Sequence, residues 1–160
     1  MGLEFDSEPV PITDWSNLLE ELTTNNLSLI DLYVWWNNTV LHCWKESKDI
    51  ILISGDQKHG KICPPKDSKQ FLGSILSKFY TKDLSLLHEN EEVIQKFICL
   101  NESFFIITDK QNLYGWGWNE HGNFGTGDTE DLNELTFIKT NVVDVYANGA
   151  YTILKWNPDE

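Results

Sequence analysis

The side chains of this 160-residue chain best equipped for chemistry are four histidines, three cysteines and a run of acids after a glycine-rich stretch. His42, His59, His88 and His121 never fall at H-x-x-x-H spacing, and Cys43, Cys63 and Cys99 form no C-x-x-C pair, so no metal site is expected. An odd number of thiols without paired spacing reads as reduced cysteine, and therefore as cytosol or nucleus. Cysteine catalysis needs a histidine in contact. The sequence leaves Cys43 with His42, or another such pair, open without favouring it. Asp128, Glu130 and Asp131 do not follow the D-x-D-x-D-G order of a calcium loop and read as a solvated acidic turn. Gly122-x-x-Gly125-x-Gly127 has phosphate-loop composition, but the order fits neither G-x-G-x-x-G nor the Walker pattern, and no Lys-Ser or Lys-Thr follows. A structural loop is expected there. No catalytic constellation, metal or cofactor emerges, so any function has to be sought in a surface.

The elements that would position such a surface are strands. Phe104 to Ile107 is a β-branched and aromatic run, Asp109 to Asn112 a polar break, and Leu113 to Trp118 a second run, which together predict a β-hairpin. Gly115 and Gly117 alternate with Tyr114, Trp116 and Trp118. Glycines on one strand face let a ring or another backbone come close. Gly122, Gly125 and Gly127, with Asn119 and Asn123 between them, suit positive φ and a shaped loop.

This unit recurs. Gly55-Asp56-Gln57-Lys58-His59-Gly60-Lys61-Ile62 matches Gly117-Trp118-Asn119-Glu120-His121-Gly122-Asn123-Phe124 at an offset of 62 residues (117 − 55). Strands are expected before each: Thr39–Trp44 and Ile50–Ile53 in the first copy, Ser103–Ile107 and Leu113–Trp116 in the second. Aligning Thr39 with Ser103 gives an offset of 64, hence two extra residues around Lys45 to Asp49. Val142 to Leu154 repeats the two strands before the turn. His59 and His121 occupy equivalent places, which predicts that they orient the turn through hydrogen bonds. A period near 50 residues suggests β-propeller blades.

The string Leu-Tyr-Gly-Trp-Gly-Trp-Asn-Glu-His-Gly-Asn-Phe-Gly-Thr-Gly-Asp from Leu113, followed by Val-x-x-Val-x-Ala-x-Gly-x-x-Thr from Val142, resembles a repeat of the regulator-of-chromosome-condensation family. The resemblance is specific over 97–156 and weaker over 27–63, where Cys63 replaces the glycine found at Gly125. The two stretches make up about 60% of the chain. It implies a mainly all-β fold, a partial β-propeller of four-stranded antiparallel blades. As one domain over 1–160, it would comprise the end of a blade (1–26), a first repeat with a helical insertion (27–96), a second repeat (97–141) and closing strands (142–160). Gly115 to Asn123 is most similar to the cytosolic branch that includes the fungal Elongator- and diphthamide-associated member, also described as an α-tubulin suppressor. For this branch the resemblance implies a non-enzymatic partner of a small zinc-binding electron-carrier protein, serving diphthamide synthesis and wobble-uridine modification of tRNA. The residues expected to bind are Trp118, Asn119, Glu120 and His121, with Trp35 or Trp36 as a further anchor. Gly55, His59, Gly60, Gly115, Gly117, Gly122, Gly125 and Gly127 are expected to shape the turns. The alternative implied by the family's founder is guanine-nucleotide exchange on a small GTPase. That activity needs a wedge, for which only 64–96 would serve.

The remaining chain qualifies this expectation. A hydrophobic content of 41% and seven Trp can build a sizeable core. About two and a half repeat units are present, fewer than the four blades of the smallest closed propellers, so either a longer protein or another cover for the open blade edges is expected. The net charge of −13 argues against nucleic acid or anionic membrane as direct partners. Residues 1–14 lack the n- and h-regions of a secretory signal, and Asp6 stands where a myristoylation motif has Ser or Thr. No run approaches 18 apolar residues. Without a secretory signal, the sequons at Asn26, Asn37 and Asn101 are chance matches. Val10–Ile12 reads as an outer strand. Residues 14–24 read as a turn or helix capped by Asp14 or Ser16, and Leu27 to Trp36 as a strand whose adjacent Trp35 and Trp36 face opposite sides. Phe71, Leu72, Ile75, Leu76, Phe79 and Tyr80 recur at helical spacing, predicting an amphipathic helix over about 68–80 capped by Ser68, most simply packed on its own propeller.

Overall fold

The computed structural model describes residues 15–35, 37–62, 71–100, 102–148 and 151–158. They belong to two compact units, one drawn from 1–57 and 64–82, the other from 58–63 and 83–160. Each unit contains one four-stranded antiparallel sheet, and the second adds a two-stranded sheet. Val10–Ile12, Ser68, Trp36 and Asn101 lie outside the described residues.

In the first unit, helix α1 (Trp15–Thr24) precedes β1 (Ser28–Trp35), β2 (Asn38–Lys45), β3 (Lys48–Gly55) and β4 (Tyr80–Thr81), paired in that order. Leu18 and Leu22, one helical turn apart, place α1 on a core with Leu27, Leu41, Cys43, Leu52, Leu76 and Phe79. The β2–β3 hairpin closes through Glu46 and Ser47, both at positive φ (50° and 63°), the geometry of a two-residue type I′ turn.

The expected amphipathic helix does not form over the described part of its span. Residues 71–75 run through a turn, Leu76–Lys78 make a single 3-10 turn, and Tyr80–Thr81 pair with Ile53 and Leu52 as the blade's fourth strand. Two things defeat the helix. Gly73 sits at φ +130°, and a Cβ there would lie 2.2 Å from the Glu21 carboxyl group. That carboxylate also takes the amides a helix would need: Ser74 N–H donates at 2.7 Å, Ile75 at 3.0 and 3.1 Å and Leu76 at 2.8 Å, with the Ser74 hydroxyl at 3.1 Å. Asn25 clamps Leu72 from both sides, donating to its carbonyl at 2.7 Å and accepting from its N–H at 3.0 Å. Burial alone would raise the Glu21 pKa. The N–H groups of Leu76, Ile75 and Ser74 outweigh it and hold the carboxyl below its ordinary value.

In the second unit, helix α2 (Ser85–Glu89) leads into β5 (Ile94–Leu100), β6 (Ser103–Thr108), β7 (Leu113–Gly117) and β8 (Leu132–Lys139), again paired in chain order. β9 (Val142–Asn148) and β10 (Tyr151–Trp156) form the separate hairpin. The alternation along β6 sorts its rings. Phe104 faces Phe97 and Trp116, whereas Phe105 joins Ile107, Leu113, Phe124, Val142 and Val145 on the other face. Gly115 is small because the Phe124 ring lies over it: a Cβ would meet that ring at 2.7 Å. Glu92 ties the start of the blade to the β6–β7 turn by accepting from Thr108 Oγ1 (2.5 Å), Asn112 Nδ2 (3.0 Å) and Tyr114 Oη (2.9 Å). Burial, with the neighbouring Glu92, pushes the Tyr114 phenol up to about 12.

The repeat is structural as well as sequential, with one adjustment. Asn38 pairs with Gly55 and Ser103 with Gly117. The first hairpin therefore spans 17 positions (55 − 38) and the second 14 (117 − 103), three extra residues rather than two. They lengthen β2 and β3 rather than the turn, because the type I′ connection leaves only two residues unpaired.

Candidate functional site

Gly117 starts the site. Its φ of +107° turns the chain out of β7, and a Cβ would lie 2.3 Å from the Glu102 carbonyl oxygen. Trp118 N–H donates to that carbonyl at 3.0 Å and the Trp118 carbonyl accepts from Ser103 Oγ at 2.7 Å, so both main-chain groups of Trp118 are fixed. Gly55 repeats the arrangement at φ +115°, with Asp56 N–H on the Asn37 carbonyl at 2.9 Å.

Asn119 then organises the glycine loop. Its Nδ2 lies within 3.0 to 3.4 Å of the Glu130 and Asp128 carbonyls, Asp128 Oδ1 and Thr126 Oγ1. Its Oδ1 accepts from Phe124 N–H at 3.1 Å, and its own N–H donates to Asp131 Oδ1 at 2.9 Å. Expected as a partner-binding residue, Asn119 is instead completely buried and structural. A short amide with both donors and an acceptor is what a closed loop of unpaired main chain requires.

The locked loop presents Trp118, half-buried, with three side chains around it. Its Nε1 donates to Glu120 Oε2 at 3.2 Å, the His121 ring meets it edge-on with centroids 5.0 Å apart, and the His59 ring does so at 6.2 Å. Glu120 and His121 are exposed. His59 hydrogen-bonds Asp131 Oδ2 through Nδ1 at 2.9 Å, so Asp131 joins His59 to the Asn119 main chain. The two histidines at equivalent positions thus act differently. His59 orients the turn through a hydrogen bond, and His121 touches Trp118 by its ring. Asp131 was legible only as part of an acidic turn; no short-range signal marks its two partners, 12 and 72 residues away.

Gly60 (φ +67°) and Gly122 (φ +68°) adopt the same left-handed conformation, and Gly125 (+67°) and Gly127 (+92°) also have positive φ. Trp35 lies in the first unit, half-buried at the end of β1.

His42 and Cys43 face opposite sides of β2, and His42 Nε2 pairs with Asp49 Oδ1 at 2.7 Å rather than with a thiol. Burial pushes the Cys43 and Cys99 thiols up to about 12, which leaves them protonated and unreactive at neutral pH. Among the described residues no three His, Cys, Asp or Glu side chains converge. Among the described residues no helix is long and apolar enough to cross a membrane. Of the nearby acids, Glu120 bonds Trp118, whereas Asp128, Glu130 and Asp131 bond Asn119.

No family model matches the sequence, and no curated protein does. Solved structures do. Human WBSCR16 superposes with a TM-score of 0.60 at 16% identity, over 81% of this chain and 31% of its own. The structure of Kap60 bound to yeast RCC1 (Prp20) matches with a TM-score of 0.54 at 14% identity, over 76% and 28%. Both are RCC1-like β-propellers. At these identities the likeness is one of fold: this chain has the four-stranded antiparallel sheets of an RCC1-type propeller and spans less than a third of either solved chain.

Proposed function

We propose that the protein is a non-enzymatic protein-interaction module whose binding surface is Trp118 with Glu120, His121 and His59. The carrying observation is that Trp118 is held before any partner arrives: its main chain is fixed by Glu102 and Ser103, and its ring meets Glu120 and His121 on a loop closed by Asn119, and His59 from the first repeat. A pre-ordered aromatic loses little entropy on binding, which is the usual property of an interface hot spot. The partner proposed is a small zinc-binding electron-carrier protein in wobble-uridine modification of tRNA and diphthamide synthesis, met in the cytoplasm or nucleus. Support for that choice is the likeness of the Gly115 to Asn123 string to the Elongator-associated branch. Trp35 is a second contact in this proposal, and nucleic acid and membrane are not direct partners.

Titration of the purified zinc protein tests it. The double substitution Trp118→Ala/Glu120→Ala is expected to weaken binding by about 30-fold or more, and unchanged affinity would reject this surface. Exchange of nucleotide on a small GTPase is the second reading, favoured by the fold likeness to yeast RCC1. The described part of the segment that would have to act as its wedge instead forms a turn, the fourth strand of one blade, helix α2 and the start of β5. Accelerated nucleotide release from a GTPase by the purified protein would reverse the ranking.

A further inference from the structure

Trp118 belongs to the second repeat, yet the loop of the first repeat holds it by two routes. His59 provides one: its ring meets the indole, and its bond to Asp131 reaches the Asn119 main chain. Lys61 provides the other. Its side chain is completely buried, and its Nζ donates to Glu102 Oε1 at 2.6 Å. Glu102 is the residue whose carbonyl accepts the Trp118 N–H at 3.0 Å. The Lys61 carbonyl in turn accepts from Trp116 Nε1 at 3.2 Å. One residue thus touches the Trp116 ring directly and the Trp118 main chain through Glu102.

A cation in a fully buried place is a poor choice for stability alone. Its desolvation cost can exceed what the ion pair returns, so such a pair is better explained by what it fixes. The second loop has Asn123 at the corresponding place, 62 residues on, and Asn123 stays within its own repeat, reaching Ser103 Oγ at 3.4 Å. Lys61 crosses to the next repeat instead.

What Lys61 fixes there is a strained turn. Glu102 has a φ of +70°, which a residue with a Cβ adopts only at a cost. Gly117 passes its carbonyl so closely that a Cβ would lie 2.3 Å from the oxygen. A shift of Glu102 therefore moves both the acceptor of the Trp118 N–H and the surface past which Gly117 turns. The first loop is itself seated on β8. Between His59 and Lys61, a Cβ at Gly60 would lie 2.7 Å from the Asn133 Cα.

We propose that Lys61 is a positioning residue for the Trp118 surface: by holding the Glu102 turn it sets the main chain of Trp118, so the loop of one repeat determines how the tryptophan of the next is offered to a protein partner. Lys61 itself is buried and meets no partner. The proposal rests on the reading of Trp118 as the binding residue. It deepens that reading by making the site a product of two repeats.

The test compares the purified full chain with Lys61→Met and with Lys61→Met/Glu102→Gln. The single variant leaves Glu102 charged, but that side chain is 27% exposed and reaches water. The double variant leaves no charge unpaired, so a loss that persists in it is not the penalty of a stranded ion. Amide hydrogen exchange at Trp118 should quicken by about tenfold or more in both variants, while Phe105 and Ile107 in β6 keep their protection. Unchanged exchange at Trp118 overturns the proposal. Equal acceleration at all three overturns it too, because Lys61 would then only stabilise the blade.

Affinity for the purified zinc protein supplies the second readout. Lys61→Met should weaken binding by about fivefold in the unaltered chain and not at all in Trp118→Ala, the signature of one residue acting through the other. Equal weakening in both backgrounds overturns the proposal. If the zinc protein fails to bind, or Trp118→Ala binds it normally, the proposed function falls, and exchange at Trp118 still decides whether Lys61 sets that residue.

Discussion

Two irregular segments, 71–76 in the first unit and 119–131 in the second, are each held by one buried side chain, and the choice of side chain differs for a physical reason. At 71–76 the main chain offers a cluster of free N–H groups, and Glu21, which only accepts, takes those of Ser74, Ile75 and Leu76. Around 119–131 the loop leaves carbonyls as well as an amide, and Asn119, which donates and accepts, meets the Glu130 and Asp128 carbonyls and the Phe124 N–H. The unmet main-chain groups decide the anchor. One anchor is charged and the other neutral, and the two should fail differently.

The largest expected effect is from Glu21→Ala. It strands three amides and a hydroxyl in a buried place, and should cost about 4 kcal/mol in denaturant unfolding, given roughly 1–3 kcal/mol for each group left unsatisfied. Asn119→Ala should cost about 3 kcal/mol by the same reasoning. Its positional equivalent in the first repeat, Gln57, has a buried Nε2 without a partner, so Gln57→Ala should change stability by no more than about 0.5 kcal/mol. A large effect there would break the distinction between a locked second loop and a first loop not tied by this residue. Next come the turns themselves. Gly117→Ala drives a Cβ to 2.3 Å from a carbonyl and should cost about 2 kcal/mol or more. Gly125→Ala, with nothing within 4 Å, should cost only the left-handed backbone term of about 1 kcal/mol.

The smallest effect, and the one that separates the anchors most cleanly, is pH. The folded-state pKa of Glu21 is depressed below the ordinary 4.5, so its contribution is complete above that value and is lost as pH falls through the lowered folded value. Unfolding followed from pH 6 downward should therefore show an acid-side loss of stability that Glu21→Gln flattens and Asn119→Ala leaves in place. An unchanged slope in Glu21→Gln would remove the charged anchor from the comparison.

The strands were legible because their signals are local. Ser103 to Ile107 and Leu113 to Trp116 carry β-branched or aromatic side chains, and the structure places β6 and β7 there. The repeated glycines were legible for the same reason. Gly55 and Gly117 share a left-handed conformation because each must pass a carbonyl where no Cβ fits. The candidate site was half legible. Trp118, Glu120 and His121 do stand at the surface, but the residue between Trp118 and Glu120 does not, because Asn119 spends its hydrogen bonds on main chain up to 11 residues away.

The sequence by itself determined where strands run and where the chain must turn left-handed, since a residue's own sterics and those of its neighbours set both. Only the tertiary structure decided what became of 71–81. Its helical spacing was genuine, but a carboxylate 53 to 55 residues upstream took the amides that a helix would have used. The tertiary structure alone also decided that Asn119 faces inward, with its amide bonded to the main chain of its own loop. Hydrogen-bond satisfaction and cavity filling are settled between residues far apart in the chain, and periodicity records neither.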